Sequence, residues 1–301
     1  MIYTITHKTT YSYEVPVGFA RCVLRLTPAS LNGQRLLDGH VTVLPAPSRI
    51  AEGRGAFGAK THTLVIDQLH DTLVIEARSR VEVNARSVDT SGPAWEAVRV
   101  AAFGSHLLDE QGPAAFLYPT RRTPAAAPMT EYARQSFAPN RPIIAAMGEM
   151  MARMHADFRY DPTATTVTTP ALQAFEARHG VCQDFAHIMI AGLRGLGLPA
   201  AYVSGYLRTN PPPGQARMAG ADATHAWVSV WCGSDGWVGF DPTNAVLAQA
   251  DHIILAAGRD YSDVAPIDGI ILAHGDQTLK VEVDVVPDTE AAPDCLTAPG
   301  V

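Results

Sequence analysis

The chain has 301 residues, of which 47% are hydrophobic and 18% are charged, and its formal net charge is −7. This length accommodates two domains, and this composition is typical of a globular protein with ample core material. An acidic balance excludes the basic surface that binding to nucleic acid or to an anionic membrane requires. We therefore expect neither a nucleic-acid partner nor a membrane partner.

The N-terminus and the cysteines indicate the compartment. The first residues alternate between apolar and polar types, so we expect no signal peptide, and no apolar stretch is long enough to span a bilayer. The four cysteines, Cys22, Cys182, Cys232 and Cys295, include no CxxC pair. This spacing argues against a disulfide framework and a structural zinc site. We expect no cofactor, no metal and a cytoplasmic location.

Residues 1–90 predict a β-rich N-terminal domain. Short runs rich in Thr, Val, Ile and Tyr alternate with turn clusters, one of which falls at residues 52–55. Regular spacing of this kind is typical of an antiparallel sandwich. The predicted strands are 2–13, 20–26, 40–44, 61–66 and 72–84.

The remainder divides into three parts. Residues 91–140 predict a connector with short helices, because prolines interrupt the segment. Residues 141–286 predict a second domain that begins with an apolar helical stripe from Ile143 to Met154. Residues 287–301 are rich in Pro, Ala, Asp and Thr and predict a flexible tail.

The second domain combines a buried helix with a hairpin. A helix from Cys182 to about Leu196 is apolar on most sides, which predicts a central position. Strands are predicted at 200–207, 224–231 and 237–240. The second of these places His225, Trp227, Ser229 and Trp231 on one face, which we interpret as the wall of a cleft.

Three residues stand in the order that thiol chemistry needs. Cys182 opens the central helix, His225 lies on a strand, and Asp241 ends the following strand. A nucleophilic thiol requires a base beside it and an acid that orients the base. The helix N-terminus is expected to stabilise a thiolate, and its backbone N–H groups could bind an oxyanion. A buried structural cysteine and histidine are the alternative, but the convergence of three residues favours chemistry.

Contact between His225 and Asp241 requires a particular register. A symmetric hairpin with four loop residues pairs Val228 with Asp241 and turns the carboxylate to the wrong face. A five-residue loop or a bulge instead pairs Trp231 with Trp237, and hence Trp227 with Asp241. We predict this second register.

Several neighbouring residues have simpler interpretations. Asp161 also begins an Asp-Pro-Thr sequence, but it lies in an unpatterned loop and predicts a turn. Asp184 is expected to serve the helix N-terminus, and His187 to be structural. The other three cysteines are expected to be inert. Trp227 either stacks under the imidazole or fills core, and both alternatives stay open.

The motifs around these residues resemble the transglutaminase-like superfamily, which shares a papain-like core with cysteine proteases. Residues 180–187 read GVCQDFAH, residues 200–206 AAYVSGY, residues 224–227 THAW and residues 239–244 GFDPTN. The β-rich start, with RLTP at residues 25–28, resembles the N-terminal domain of bacterial transglutaminase-like proteins. The resemblance implies an α+β fold, in which a β-sandwich-like N-terminal domain precedes a papain-like transglutaminase core with an antiparallel sheet and a central helix.

The resemblance also implies a Cys182–His225–Asp241 catalytic triad and thioester chemistry on a peptide or protein amide. We expect hydrolysis, as in a cysteine peptidase or amidase, because nothing in the chain marks an amine-acceptor site. A protein-glutamine transglutaminase and a non-catalytic peptide-binding scaffold are the alternatives. Gln183 and Trp227 are candidates for oxyanion or cleft support, and residues 259–263 for a loop at the cleft rim.

Overall fold

A computed structural model describes residues 1–85, 87–107, 112–209 and 222–288. The fold is α+β, with mainly antiparallel sheets and a β-sandwich-like N-terminal half, as the sequence predicts. Six strands of the N-terminal half supply most of two sheets. They are β1 (Ile2–Val17), β2 (Ala20–Leu24), β3 (Gln34–Leu44), β4 (Arg49–Arg54), β5 (Lys60–Ile66) and β6 (His70–Val83).

The rest of the described chain forms helices around a third sheet and two returning strands. A short 3-10 turn at Ala114–Phe116 follows the first helix. The elements are α1 (Trp95–Phe103), α2 (Ala127–Arg134), α3 (Ile143–Asp157), β7 (Arg159–Tyr160), α4 (Ala171–Ala177), β8 (His179–Gly180), α5 (Cys182–Gly195), β9 (Ala200–Leu207), β10 (Ala223–Trp231), β11 (Trp237–Asp241), β12 (Val246–Leu247), β13 (His252–Gly258), α6 (Tyr261–Val264), β14 (Ile267–Ile271) and β15 (Gln277–Pro287).

Two four-stranded sheets pack together in the N-terminal half. Their strand orders are β15-β1-β6-β3 and β14-β2-β5-β4, and the neighbours are antiparallel. One apolar cluster draws Leu24 and Ile66 from one sheet and Leu73 and Ile75 from the other. Inward-facing residues of both sheets therefore share one core, as in a sandwich.

Strand β4 is a correction to the sequence analysis, which placed a turn at residues 52–55. All six residues of β4 are exposed, and they pair with β5 at the edge of the sheet. An edge strand with no buried face carries no alternation of apolar and polar residues. The sequence pattern therefore could not reveal it.

The chain returns to the sandwich after the second domain, which alters the expected boundary at residue 286. β14 pairs with β2, and β15 pairs with β1 from Tyr3 opposite Pro287 to Tyr13 opposite Gln277. These strands cover sheet edges that would otherwise expose unpaired backbone groups. Residues 289–301 of the predicted tail lie outside the described residues.

Helix α5 lies at the centre of the second domain. The sheet of order β12-β11-β10-β9-β13 packs against it, and twelve of its residues from Gln183 to Arg194 are buried. Helix α2, within the predicted connector, contributes Met129 and Tyr132 to the same apolar cluster as α5. A second cluster joins Tyr3 and Ile5 of β1 to Tyr206 of β9, so the two halves share buried surface. Among the described helices, none has the length and apolar character that a bilayer crossing requires.

Candidate functional site

Cys182 is the first residue of α5, and Asp184 stabilises this helix end. The Asp184 carboxylate accepts hydrogen bonds from the Val181 N–H at 2.8 Å and from the Thr165 hydroxyl at 2.6 Å. A Cβ atom at Gly180 would lie 2.5 Å from the same carboxylate oxygen, so only glycine permits this approach. The predicted role of Asp184 at the helix N-terminus is confirmed.

The hairpin of β10 and β11 has the predicted register. Trp231 pairs with Trp237, and Val228 pairs with Phe240. The five residues 232–236 between the strands supply the odd loop, part of which is a 3-10 turn. Extended by one residue, this register sets Trp227 opposite Asp241. His225 and Asp241 consequently lie on the same face.

His225 and Asp241 form a buried hydrogen-bonded pair. His225 Nε2 lies 2.8 Å from Asp241 Oδ2, and the Asp241 side chain has no solvent exposure. Asp241 Oδ1 accepts hydrogen bonds from the N–H groups of Thr243 and Asn244 at 3.0 and 3.3 Å. Burial by itself would raise the pKa of Asp241, but hydrogen bonds from His225, His252 and Asn244 hold that pKa well below its usual range. The carboxylate is therefore ionised.

The surroundings of the His225 imidazole favour its cationic form. Burial lowers its pKa, but hydrogen bonding to Asp241 and Cys182 and the charges of both outweigh burial and raise the pKa of His225 to about 10. Nε2 faces Asp241, which leaves Nδ1 for the thiol. His225 is therefore hydrogen-bonded to Asp241, and Cys182 contributes to the raised pKa of His225.

Trp227 forms a platform beneath the imidazole. Its indole stacks on His225 with ring centroids 6.0 Å apart and an interplanar angle of 28°, and it is 1% exposed. A Cβ at Gly205 would lie 2.5 Å from the indole, and one at Gly239 would lie 3.4 Å from its Nε1. Glycines on both flanking strands therefore make room for the ring. Trp227 therefore both stacks on the imidazole and fills the core, so the two alternatives left open by the sequence occur together.

Three residues near the start of α5 and in α6, Gln183, His187 and Tyr261, have structural contacts of different kinds. Gln183 donates from Nε2 to the Val167 carbonyl at 3.2 Å, which occupies one of its amide protons. His187 is buried, its pKa is lowered to about 3 by burial, and its Nε2 accepts the Tyr261 N–H at 3.3 Å. His187 is therefore a neutral structural acceptor, as expected. Tyr261 belongs to α6, in the segment predicted as a rim loop, and it packs against Tyr202.

The other candidate acid and the other described cysteines are structural. Asp161 accepts hydrogen bonds from the Thr163 N–H at 3.0 Å and from its hydroxyl at 2.8 Å, which confirms the predicted turn. Cys22 and Cys232 are buried, and burial raises the pKa of both, that of Cys232 to about 12. Cys182 is partly exposed. Cys295 lies outside the described residues.

Two contacts were missed by the sequence reasoning. His252 Nε2 lies 3.1 Å from Asp241 Oδ2, and Asn244 Nδ2 lies 2.7 Å from the same oxygen. Asn244 stands in the GFDPTN motif, which could have drawn attention to it, whereas nothing in the spacing of His252 pointed to the site. His225, Asp241 and His252 also offer three metal-ligand atoms within 4.8 Å of one another.

A cavity lies on the outer face of the third sheet. Its volume is about 590 Å³, and its lining includes Trp227, Trp231, Trp237 and His252, together with Gln34 and Asn84 from the N-terminal half. This volume is in the range of small-molecule pockets. Of the strand face predicted as a cleft wall, Trp227, Ser229 and Trp231 line this cavity, whereas His225 does not. Cys182 and Asp241 are also absent from its lining.

Comparisons with known proteins agree with this architecture. Residues 3–82 match the family described as the bacterial transglutaminase-like N-terminal region, and residues 130–242 match the transglutaminase-like superfamily. Rv2569c of Mycobacterium tuberculosis is 41% identical over 295 residues, covering 95% of this chain and 92% of that protein. A protein-glutamine gamma-glutamyltransferase of Pseudomonas aeruginosa is 31% identical over 162 residues, covering 50% of this chain and 23% of that enzyme.

A solved structure shows a similar fold. The crystal structure of a candidate cysteine protease from Cytophaga hutchinsonii superposes with a TM-score of 0.72 at 21% sequence identity. The match covers 95% of this chain and 91% of that one. It therefore includes both halves of the protein described above.

Proposed function

The chain belongs to the transglutaminase-like superfamily, and on this premise we propose that it hydrolyses peptide or protein amide bonds through Cys182, His225 and Asp241. The observation that supports this most is the imidazole of His225, which interacts with Cys182 and lies 2.8 Å from a fully buried carboxylate. A scaffold would need no such buried ion pair beside a partly exposed thiol. Burying a charged pair costs desolvation free energy, so a protein without a use for the pair would gain little by keeping it.

The proposed reaction begins with a thiolate at Cys182. Its Sγ attacks the carbonyl carbon of the amide, and the electron pair of the C=O bond moves to oxygen. The N–H groups of Cys182 and Gln183, in the first turn of α5, lack acceptors within the helix and are suited to that oxyanion. When the C–N bond breaks, the imidazolium of His225 gives its proton to the leaving amine.

A water molecule then resolves the thioester. Neutral His225 takes a proton from the water as the water oxygen attacks the acyl carbon. The C–S bond breaks, the acid leaves, and the thiolate–imidazolium pair is restored. Asp241 stays ionised throughout and holds the imidazole with Nδ1 towards the sulfur.

Transfer to an amine is the second candidate function. The relative from Pseudomonas aeruginosa is named as a protein-glutamine gamma-glutamyltransferase, and its similarity covers half of this chain. In that reaction a primary amine replaces water at the thioester. The first steps and the three residues would be the same.

Alkylation tests the nucleophile. We expect iodoacetamide at neutral pH to modify Cys182 well before the buried Cys22 and Cys232, as followed by peptide mass spectrometry. His225→Ala should slow the modification of Cys182, whereas His106→Ala, at an exposed histidine, should not. Equal and slow labelling of Cys182, Cys22 and Cys232 would favour the scaffold.

A peptide library separates the two reactions. Cleaved products that are absent with Cys182→Ala support hydrolysis. A glutamine peptide incubated with a primary amine reports transfer, because the amine adds its mass with loss of ammonia. Amine incorporation without cleavage would replace the first proposal by the second.

A further inference from the structure

His252 contacts the proposed site although the reaction above gives it no part. It is the first residue of β13, and its side chain is 5% exposed. Its ring lies edge-on to the Trp227 indole, with centroids 5.1 Å apart and an interplanar angle of 78°. Its Nε2 is 3.1 Å from Asp241 Oδ2. His252 therefore contacts both the carboxylate and the platform that supports His225.

The proton arrangement around Asp241 Oδ2 follows from these contacts. Three nitrogen atoms surround this oxygen: His225 Nε2 at 2.8 Å, His252 Nε2 at 3.1 Å and Asn244 Nδ2 at 2.7 Å. An ionised carboxylate can only accept hydrogen bonds. His252 must consequently carry a proton on Nε2 and donate it to Asp241.

Two imidazoles and a carboxylate are also a donor set for a transition metal. The distances favour hydrogen bonds, because 2.8 and 3.1 Å are ordinary donor–acceptor separations. Asn244 supports the same interpretation. Asn244 Nδ2 lies 2.7 Å from Asp241 Oδ2 and 3.4 Å from His225 Nε2. Its N–H groups therefore point into the space between these ligand atoms, where a bound metal cation would repel them.

We infer that His252 is a positioning residue, which holds Oδ2 of Asp241 towards His225 by a hydrogen bond from a separate strand. The backbone N–H groups of Thr243 and Asn244 fix Oδ1 from the turn that follows β11. His252 fixes Oδ2 from β13, across the sheet from that turn. This inference rests on the proposed function, since it assigns His252 to the alignment of His225 with Cys182.

The test compares two substitutions at His252 with a control. His252→Leu removes the donor and keeps an apolar side chain in the buried site. His252→Gln restores a donor, because its amide nitrogen can reach the position of Nε2. The control is His7→Leu, since His7 is also buried and hydrogen-bonded, to Tyr206 and Thr9, but lies outside the site.

The measurements are the iodoacetamide rate constant at Cys182, kcat and KM on any peptide that the wild type cleaves, and thermal stability. We expect His252→Leu to lower the alkylation rate and kcat about tenfold with KM nearly unchanged, the effect typical of a group that orients a reacting residue. His252→Gln should recover most of both rates. His7→Leu should lower stability without changing the alkylation rate of the folded protein.

The outcomes separate this inference from the proposed function. The positioning role is overturned if Cys182 is alkylated at the wild-type rate in His252→Leu, or if the Leu and Gln variants lose the same fraction of that rate. Either result leaves Cys182 as the nucleophile. If the wild-type thiol is not selectively reactive, the proposed function itself fails. A rate that changes when zinc or a chelator is added to the wild type, but not to His252→Leu, shows a metal site and also overturns the inference.

Discussion

Asp241→Asn tests the electrostatics of the proposed site most directly. The substitution keeps the shape of the side chain and removes the charge that lies 2.8 Å from His225 Nε2. In the wild type, burial lowers the pKa of His225, but contacts with Asp241 and Cys182 raise it from 6.5 to about 10. At about 1.4 kcal/mol per pH unit, this rise corresponds to roughly 5 kcal/mol of preferential stabilisation of the imidazolium.

Without the carboxylate, burial dominates and the imidazole is neutral near pH 6. No cation then stabilises a thiolate at Cys182. We therefore expect Asp241→Asn to slow the alkylation of Cys182 about tenfold or more at pH 6, the effect typical of losing a group that orients a reacting residue.

The assay is the second-order rate constant of iodoacetamide at Cys182 between pH 4.5 and 9. The ratio of the Asp241→Asn rate to the wild-type rate should be lowest in the acid range, where the imidazolium contributes most to the reactivity of the wild-type thiol. Asp161→Asn is the matched control, because it makes the same change in the other Asp-Pro-Thr sequence. Equal rates for Asp241→Asn and the wild type in the acid range, or an equally slowed rate for Asp161→Asn, would refute the reasoning.

Two further predictions concern packing and pH. Gly205→Ala places a methyl group 2.2 Å from the Ile253 carbonyl oxygen and 2.5 Å from the Trp227 ring, so we expect a loss of about 1–3 kcal/mol in urea unfolding and slower Cys182 alkylation. Gly18→Ala, with nothing within 4 Å, should change neither, and equal stability of the two variants would count against the platform. Burial lowers the pKa of His7 to about 4, so the unfolded chain binds more protons and stability falls as pH drops from 6.5 towards 4. In the wild type the His7 contribution lowers the free energy of unfolding by roughly 2 kcal/mol between pH 7 and pH 4.5, and His7→Phe should remove that part of the decrease. An unchanged decrease would contradict the assignment.

The elements that the sequence predicted best are those whose pattern comes from burial. The strand predicted at 200–207 matches β9, and the helix predicted from Cys182 matches α5 to within a residue at its end. Both lie in the centre of the second domain, where apolar side chains must meet neighbours on defined faces. The exposed β4 and the returning β14 and β15 were misplaced, because pairing between distant segments leaves no local periodicity.

The register of the hairpin could be predicted because chemistry supplied a constraint that periodicity lacks. The two strands alone allowed loops of four or five residues, and each loop gave a regular hairpin. Only the requirement that His225 meet Asp241 selected the pairing of Trp231 with Trp237, and the structure has that pairing. A requirement of the proposed function, the contact between His225 and Asp241, therefore predicted a feature of the fold that hydrophobic periodicity left open.

His252 could not be found in this way, because its contact depends on three strands that no local pattern connects. β9 lies between β10 and β13, and Gly205 on β9 leaves room for the Trp227 ring to reach His252. A larger residue at that position would displace the indole, and the imidazoles of His225 and His252 would lose the surface on which both rest. Gly205→Ala should displace the ring that supports His252, and His252→Leu removes the hydrogen bond from His252 to Asp241. Both changes therefore weaken the same contact, and the double variant should be less than additive. Strictly additive losses would show that the hydrogen bond from His252 to Asp241 does not depend on the position of the Trp227 ring.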